Sequence, residues 1–363
     1  IMPSICGRIC PHFRQCQSKC VKKVSYESVQ IGTLESFIGD LALKNNWNIA
    51  PSKKTKYKVA IIGGGPSGIT CAAFLARNGI NVTIYEKHDY LGGLLMHGIP
   101  EFRLPKKIVN KVIDKIVALG IKVNYNNQLG KDFKLADIEN KYDAIFLSIG
   151  ANLSNYMNIP GEDLSGVYGG NELLENNLNL DYKDKIIVVA GGGDVAIDVA
   201  RTIKRKGAKK VIIVYRRSED EMPAEKIEIE RAKKDDIKFI FKNNIIKILG
   251  DNKVQKIELV KTKLVKQDGN LKPKPINIEN SNYHLKCDYV IMAIGSHSDE
   301  KILNNLNLKL TSKGKIDIDN FGRTSREKIF SGGDVAESIN TVAWASRAGR
   351  NAAFGILDYL KNK

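Results

Sequence analysis

The sequence predicts an α/β chain: two strand–turn–helix–strand units, one set inside the other, behind a short helical segment that bears cysteines. Three observations lead there. "VAIIGGGPSGITCAAFLARNGINVTIYEK" passes from an apolar strand through a glycine turn into a helix and a second strand. "IIVVAGGGDVAIDVARTIKRKGAKKVIIVYRR" repeats that plan. "YDAIFLSIGA" and "CDYVIMAIGS" are each an apolar strand entering a glycine turn, the pattern of crossings between nested domains.

The totals agree. A chain of 363 residues can bury two or more cores. With 43% hydrophobic and 27% charged residues the composition is globular, which excludes disorder of the whole chain. The net charge of +17 reads as lysine spread over solvated faces, since there is no basic helix and no interleaving with aromatics. Nucleic acid is therefore not an expected partner. No secretory signal precedes the cysteines, which predicts a cytoplasmic chain and disfavours disulfides. Val59–Ala76 is uncharged and about as long as a membrane span, but "GGGPSG" breaks it, so no transmembrane helix is expected.

Taken in order, "CGRICPHFRQCQSKC" places Cys6, Cys10, Cys16 and Cys20 ahead of everything else. Their spacing fits neither a zinc ribbon of paired C-x-x-C nor a finger with paired histidines. Next, Ile31, Leu34, Phe37, Ile38 and Leu41 recur at helical spacing, and the polar "APSKKTK" reads as a linker.

A strand at Val59–Ile62 then meets Gly63-x-Gly65-x-x-Gly68. The first glycine permits the tight turn, the second lets backbone approach a pyrophosphate, and the third lets helix and strand pack closely. Glu86 closes the second strand, Asn81–Tyr85, where a carboxylate accepts hydrogen bonds from a ribose hydroxyl pair. The second unit has Gly191-x-Gly193-x-x-Ala196 between strands Ile186–Ala190 and Val211–Tyr215. At the place of Glu86 it carries Arg216 and Arg217. A carboxylate suits a free 2′-hydroxyl and repels a 2′-phosphate; arginine pairs with that phosphate. The first unit should hold an adenine dinucleotide lacking the phosphate, and the second NADP(H).

"IKFIFKNNIIKIL" and "KVQKIELVKTKLV" read as strands joined around "GDNK". Near the end a strand stops at Phe330, Gly332-Gly333-Asp334 follows, and a helix starts near Thr341. Such an aspartate can hold a ribityl hydroxyl while the helix N-terminus faces an anionic flavin.

These stretches, with "IGTLESFIGD", "LGGLLMHGIPEFRLPK" and "VYRRSEDEMPAE", resemble the two-dinucleotide flavoprotein family of the glutamate synthase small subunit. Relatives of that family are the N-terminal half of dihydropyrimidine dehydrogenase, the large subunit of bifurcating ferredoxin–NADP oxidoreductase, and sulfide dehydrogenases. The resemblance implies two nested Rossmann-like domains behind an iron–sulfur segment. They divide as residues 1–52, an FAD domain at 53–155 and 286–363, and an NADPH domain at 156–285. It implies FAD on Gly63, Gly65, Gly68, Glu86, Gly92, Gly93, Gly333 and Asp334, with Arg103 beside the flavin. It implies NADPH on Gly191, Gly193, Asp194, Arg216 and Arg217.

Cys10, Cys16 and Cys20 match [4Fe–4S] ligands, and Glu35 matches a non-cysteine ligand position; the residue matching Cys6 is not usually one. The family's upstream cluster cysteines are not in this sequence, so a zinc-filled site or free thiols that merely pack stay open as alternatives. The implied activity is electron input: hydride from NADPH to FAD, then single electrons through clusters to a larger catalytic chain or a ferredoxin-type acceptor. No side chain is assigned a catalytic role. A ferredoxin–NADP, bifurcating or sulfide oxidoreductase subunit is the alternative, and a scaffold without cofactors a further one. The absence of C-x-x-C disfavours a disulfide reductase, and Cys71 and Cys287 read as inert.

Overall fold

The computed structural model describes residues 1–48, 50–176, 178, 180–266, 273–337 and 339–363. The chain forms two compact units, residues 1–151 with 298–363 and residues 152–297.

In the first unit, five parallel strands run in the order Ile329–Ser331, Ala144–Leu147, Lys58–Ile62, Asn81–Tyr85, Lys122–Asn124. The central strands are apolar without alternation, because helices cover both faces of a parallel sheet. Val59, Ile61, Ile84, Phe146 and Phe330 are buried in one cluster, each contributing about 1.5–3 kcal/mol by leaving water. The helix Pro66–Arg77 covers the sheet and the last helix, Val342–Lys361, crosses it closely. Gly349 makes the crossing possible: a Cβ there would lie 2.1 Å from the Ser67 carbonyl oxygen. Phe74 and Phe354 then meet edge to face at 5.7 Å.

The amino-terminal segment packs within the same unit. Helix Pro3–Ile9 lies against helix Ile31–Lys44 through glycines, since a Cβ at Gly7 or Gly39 would come within 2.3 Å of the other helix's backbone. The 31–44 helix forms as its periodicity predicts, yet Leu34, Phe37 and Ile38 are 56%, 63% and 52% exposed. Its packed face is the small-residue face, because only glycine allows so close an approach of backbones.

The second unit repeats the wiring. Five parallel strands run Val167–Gly169, Tyr289–Met292, Ile186–Ala190, Lys210–Tyr215, Lys238–Phe241. An antiparallel sheet of Asn243–Leu249, Lys256–Val265, Lys274–Asn277 and Tyr283–Lys286 completes it. Two expectations are corrected here. The run 237–249 is two strands in different sheets, broken at Lys242, whose φ of +55° no strand accommodates. The second crossing strand, Tyr289–Met292, pairs with Ile186–Ala190, so residues 286–297 fall inside the second unit and not after it.

Candidate dinucleotide sites and the cysteine segment

The first cradle grows out of the strand Lys58–Ile62. Gly63 has φ +100°, and a Cβ there would lie 2.4 Å from the Ser148 carbonyl oxygen. A Cβ at Gly68 would lie 2.0 Å from the Gly63 carbonyl oxygen, so the third glycine keeps helix on strand. Among the described residues no atom lies within 4 Å of where a Cβ on Gly65 would stand, which leaves that backbone open to a ligand. The helix Pro66–Arg77 has no side-chain cap, so its first amides stay available to an anion. Ser67 Oγ is buried there without a hydrogen-bond partner among the described residues.

Two further loops close on this turn. The Gly92 N–H donates to the Gly64 carbonyl at 2.8 Å, and a Cβ at Gly93 would lie 3.0 Å from Gly65 Cα. Gly333, at φ +79°, stands where a Cβ would be 2.9 Å from Ser67 Cβ. Burial pushes the neighbouring Asp334 carboxyl above the usual carboxylate range. Glu86 is 4% exposed; its Oε2 accepts the Gly64 N–H at 2.7 Å and its Oε1 the His88 N–H at 3.0 Å. Each oxygen keeps a lone pair for a hydroxyl. Arg103 lies in the turn that follows, half-buried, its N–H bonded to the Pro100 carbonyl at 2.9 Å. Lys106 Nζ donates to the carbonyls of Leu95 (2.8 Å) and Ile99, stapling that loop.

The second cradle has the same construction. A Cβ at Gly191 (φ +134°) would lie 2.1 Å from the Ala293 carbonyl oxygen, and Gly193 has nothing nearer than 3.9 Å. The helix Asp194–Arg205 also lacks a side-chain cap. Asp194 spends one carboxylate oxygen on the Glu225 N–H at 3.1 Å, which ties the 224–225 segment to the cradle. The Tyr215 ring fills the space beside Gly192, where a Cβ would be 2.6 Å from Cδ2. Arg216 is exposed, and its carbonyl accepts from Thr262 Oγ1 at 2.8 Å. Arg217 is half-buried, and its Nε is buried without a hydrogen-bond partner among the described residues.

The cradles therefore fit the dinucleotides on structural grounds. Open glycines, uncapped helix ends, a buried carboxylate in one and an orphaned guanidinium nitrogen in the other are what each would need. Ser67, Ser148 and Tyr215 shape the cradles but were not singled out by the sequence reading; Ser67 lies inside "GGGPSG", the one signal that marked it.

All six cysteines are free thiols. Cys6 and Cys10 hydrogen-bond through their side chains, which lowers the Cys6 pKa and raises that of Cys10. Cys10 also takes the Ala343 N–H at the start of the last helix, and Glu35 faces Cys6 and Cys10. Cys20 Sγ accepts the Val29 N–H at 3.4 Å, and Cys16 heads the turn Gln17–Lys19. Sulfurs that accept backbone N–H bonds suit cluster thiolates, so Cys10 and Cys20, with the Glu35 carboxylate near Cys10, fit an iron–sulfur group. Cys71 and Cys287 are buried, and burial pushes Cys71 up and Cys287 up to about 12, as inert core thiols.

Two parallel-sheet glycine cradles, one followed by buried Glu86 and the other by Arg216 and Arg217, have the form of a flavoprotein reductase of the two-nucleotide type. Residues 57–349 match the pyridine nucleotide-disulphide oxidoreductase family, and residues 1–47 match the dihydropyrimidine dehydrogenase domain II, 4Fe-4S cluster family. The glutamate synthase [NADPH] small chain of Escherichia coli strain K12 is 34% identical over 385 residues, covering 99% of this chain and 81% of its own. The NADP(+)-dependent formate dehydrogenase subunit beta of Moorella thermoacetica is 32% identical, covering 99% of this chain and 55% of its own. The solved FprA of Mycobacterium tuberculosis in complex with NADPH shares the fold at TM-score 0.75, with 19% identity and 85% of each chain covered.

The chain belongs to the glutamate synthase small-chain family, within the pyridine nucleotide-disulphide oxidoreductases. It is an NADPH-dependent flavoprotein oxidoreductase with an amino-terminal 4Fe–4S segment, an electron-input subunit. The names of these relatives, small chain and subunit beta, are those of subunits of larger enzymes. Among the described residues no helix is long and apolar enough to cross a membrane.

Proposed function

We propose that the first unit binds FAD through Gly63, Gly65, Gly68, Glu86, Gly92, Gly93, Gly333 and Asp334, with Arg103 beside it, and the second binds NADPH through Gly191, Gly193, Asp194, Arg216 and Arg217. Cys10, Cys16, Cys20 and Glu35 are the cluster ligands of this reading. When bound, the flavin supplies the conversion of a hydride pair into single electrons. The protein's share is placement. The first-turn amides of the two fingerprint helices hold the pyrophosphates, and the Glu86 carboxylate holds ribose hydroxyls. Arg217 and Arg216 neutralise a 2′-phosphate, and no side chain has to move a proton.

The observation that carries this is the exchange of buried Glu86 for Arg216–Arg217 at one position of two otherwise matching cradles. Electrons then leave through the cysteine segment to a large glutamate synthase chain, the partner that "small chain" in the E. coli relative's name implies. Phe13, Val21, Val24 and Tyr26 support that exit, being 49%, 85%, 90% and 78% exposed in the same stretch as Cys16 and Cys20.

The test is a purification in air-free buffer with flavin, iron and acid-labile sulfide measured per chain, then anaerobic titration with NADPH. The reading expects one FAD per chain, bleached by NADPH at lower concentration than by NADH. A chain that takes up no FAD on reconstitution, or is reduced equally by both, overturns it.

A further inference from the structure

The turn after the strand Ile329–Ser331 is fastened from a part of the chain that carries no nucleotide motif. The Gly333 carbonyl accepts the N–H groups of both Ala336 (2.9 Å) and Glu337 (2.8 Å), so residues 333–337 make one isolated helical turn. Its amino end stands against Ser67 on the fingerprint helix. Its carboxyl end is held by residues 309–317. There, Thr311 N–H bonds the Lys315 carbonyl at 2.8 Å and Asp317 N–H the Lys309 carbonyl at 2.9 Å, forming a small antiparallel loop. Ile316, fully buried, donates its N–H to the Val335 carbonyl at 3.0 Å. Half-buried Lys315 then sends its Nζ to two carbonyls of the turn, Asp334 at 2.7 Å and Glu337.

A single helical turn is poorly stable by itself, because it fixes several residues for one or two hydrogen bonds. Its last carbonyls carry partial negative charge, which a cation satisfies best. An ammonium bridging two of them, the carbonyls of Asp334 and Glu337, holds the turn that carries the Asp334 side chain in one geometry. Burial lowers the Lys315 pKa; the acids Asp334 and Glu337 partly offset this by favouring the charged form, and Lys313 opposes it. Arg347 faces Glu337 as well.

We propose that Lys315 is a positioning residue of the flavin site: by clamping the carbonyls of Asp334 and Glu337 it sets the aim of the 333–337 turn, so FAD affinity depends on a lysine outside both fingerprints. This rests on the FAD reading of the first unit given above. Lysine is suited to the task because one ammonium offers three donors from a flexible stem.

The experiment uses the full chain, stripped of flavin, and measures FAD binding by fluorescence quenching in wild type, Lys315→Met, Lys315→Arg and Lys313→Met. Thermal unfolding of each flavin-free protein and NADP⁺ binding are followed in parallel. Loss of two charge-assisted hydrogen bonds predicts FAD affinity about tenfold or more weaker in Lys315→Met. Lys315→Arg recovers most of it, and exposed Lys313→Met matches wild type, with NADP⁺ affinity unchanged throughout. Wild-type FAD affinity in Lys315→Met overturns the proposal. So does a fall in FAD affinity matched by equal falls in NADP⁺ affinity and flavin-free Tm, which assigns Lys315 to general stability. If wild type itself binds no FAD, the reading of the site fails and the clamp with it.

Discussion

Set side by side, the two cradles agree in backbone and part company at the sugar. In each, the first glycine passes over the residue that follows a neighbouring strand, Ser148 in one and Ala293 in the other. The first-glycine N–H is held by the second strand in both, Gly63 by the Tyr85 carbonyl at 2.8 Å and Gly191 by the Val214 carbonyl at 3.1 Å. Beyond that point the first cradle turns a buried carboxylate back onto the Gly64 N–H, whereas the second carries exposed Arg216 and half-buried Arg217, whose buried Nε has no hydrogen-bond partner among the described residues. Parallel-sheet geometry makes a pyrophosphate site twice over; a few residues at one strand end decide which nucleotide fills it.

The comparison breaks most severely at the third fingerprint position. Gly68 has no room for a methyl group, whereas its counterpart Ala196 already carries one and is fully buried. Gly68→Ala should cost about 3 kcal/mol or more and give a flavin-poor protein, while Ala196→Gly should cost about 1 kcal/mol. Flavin-to-protein ratio and Tm check both. Next in size, Glu86→Ala strands the N–H groups of Gly64 and His88 and removes the proposed sugar ligand, for about 1–3 kcal/mol. FAD affinity should drop and NADPH affinity hold; equal losses of both would refute the division of labour.

A smaller effect sharpens the contrast through pH. The folded carboxyl of Asp334 binds its proton more tightly than the unfolded one, because burial raises it. Its contribution is therefore most favourable below the ordinary carboxylate value of about 4 and is lost as pH rises toward the folded value. Asp334→Asn should make the flavin-free protein more stable at neutral pH, by an amount that shrinks on acidification, while weakening FAD binding. Melting curves of flavin-free wild type and variant from pH 4 to pH 7 decide it; parallel pH profiles would contradict the burial account.

Much of this was legible beforehand, for a physical reason. The fingerprint strands read as Asn81–Tyr85 and Ile186–Ala190 form with those bounds, since a strand buried on both faces is a plain apolar run between turn signals. What was hidden depended on single backbone angles and long-range packing. A left-handed Lys242 splits one apparent strand into two sheets, and lysine carries no signal for φ +55°. The 31–44 helix buries glycines and exposes Leu34, Phe37 and Ile38, an inversion that periodicity does not reveal. Lys315 looked like one more surface lysine because its two carbonyl partners lie far along the chain.

The account rests on a sugar-end exchange between matching cradles, and one experiment meets it directly: kinetics of flavin reduction by NADPH and NADH for wild type and the Arg216→Ala, Arg217→Ala protein. Losing both guanidinium groups should cost NADPH binding about 2–4 kcal/mol while leaving NADH almost untouched, so the preference for NADPH should collapse by about thirtyfold or more. An unaltered ratio of the two rates, with flavin still bound, would show that Arg216 and Arg217 do not read the phosphate and that the two cradles are not told apart where this account places the difference.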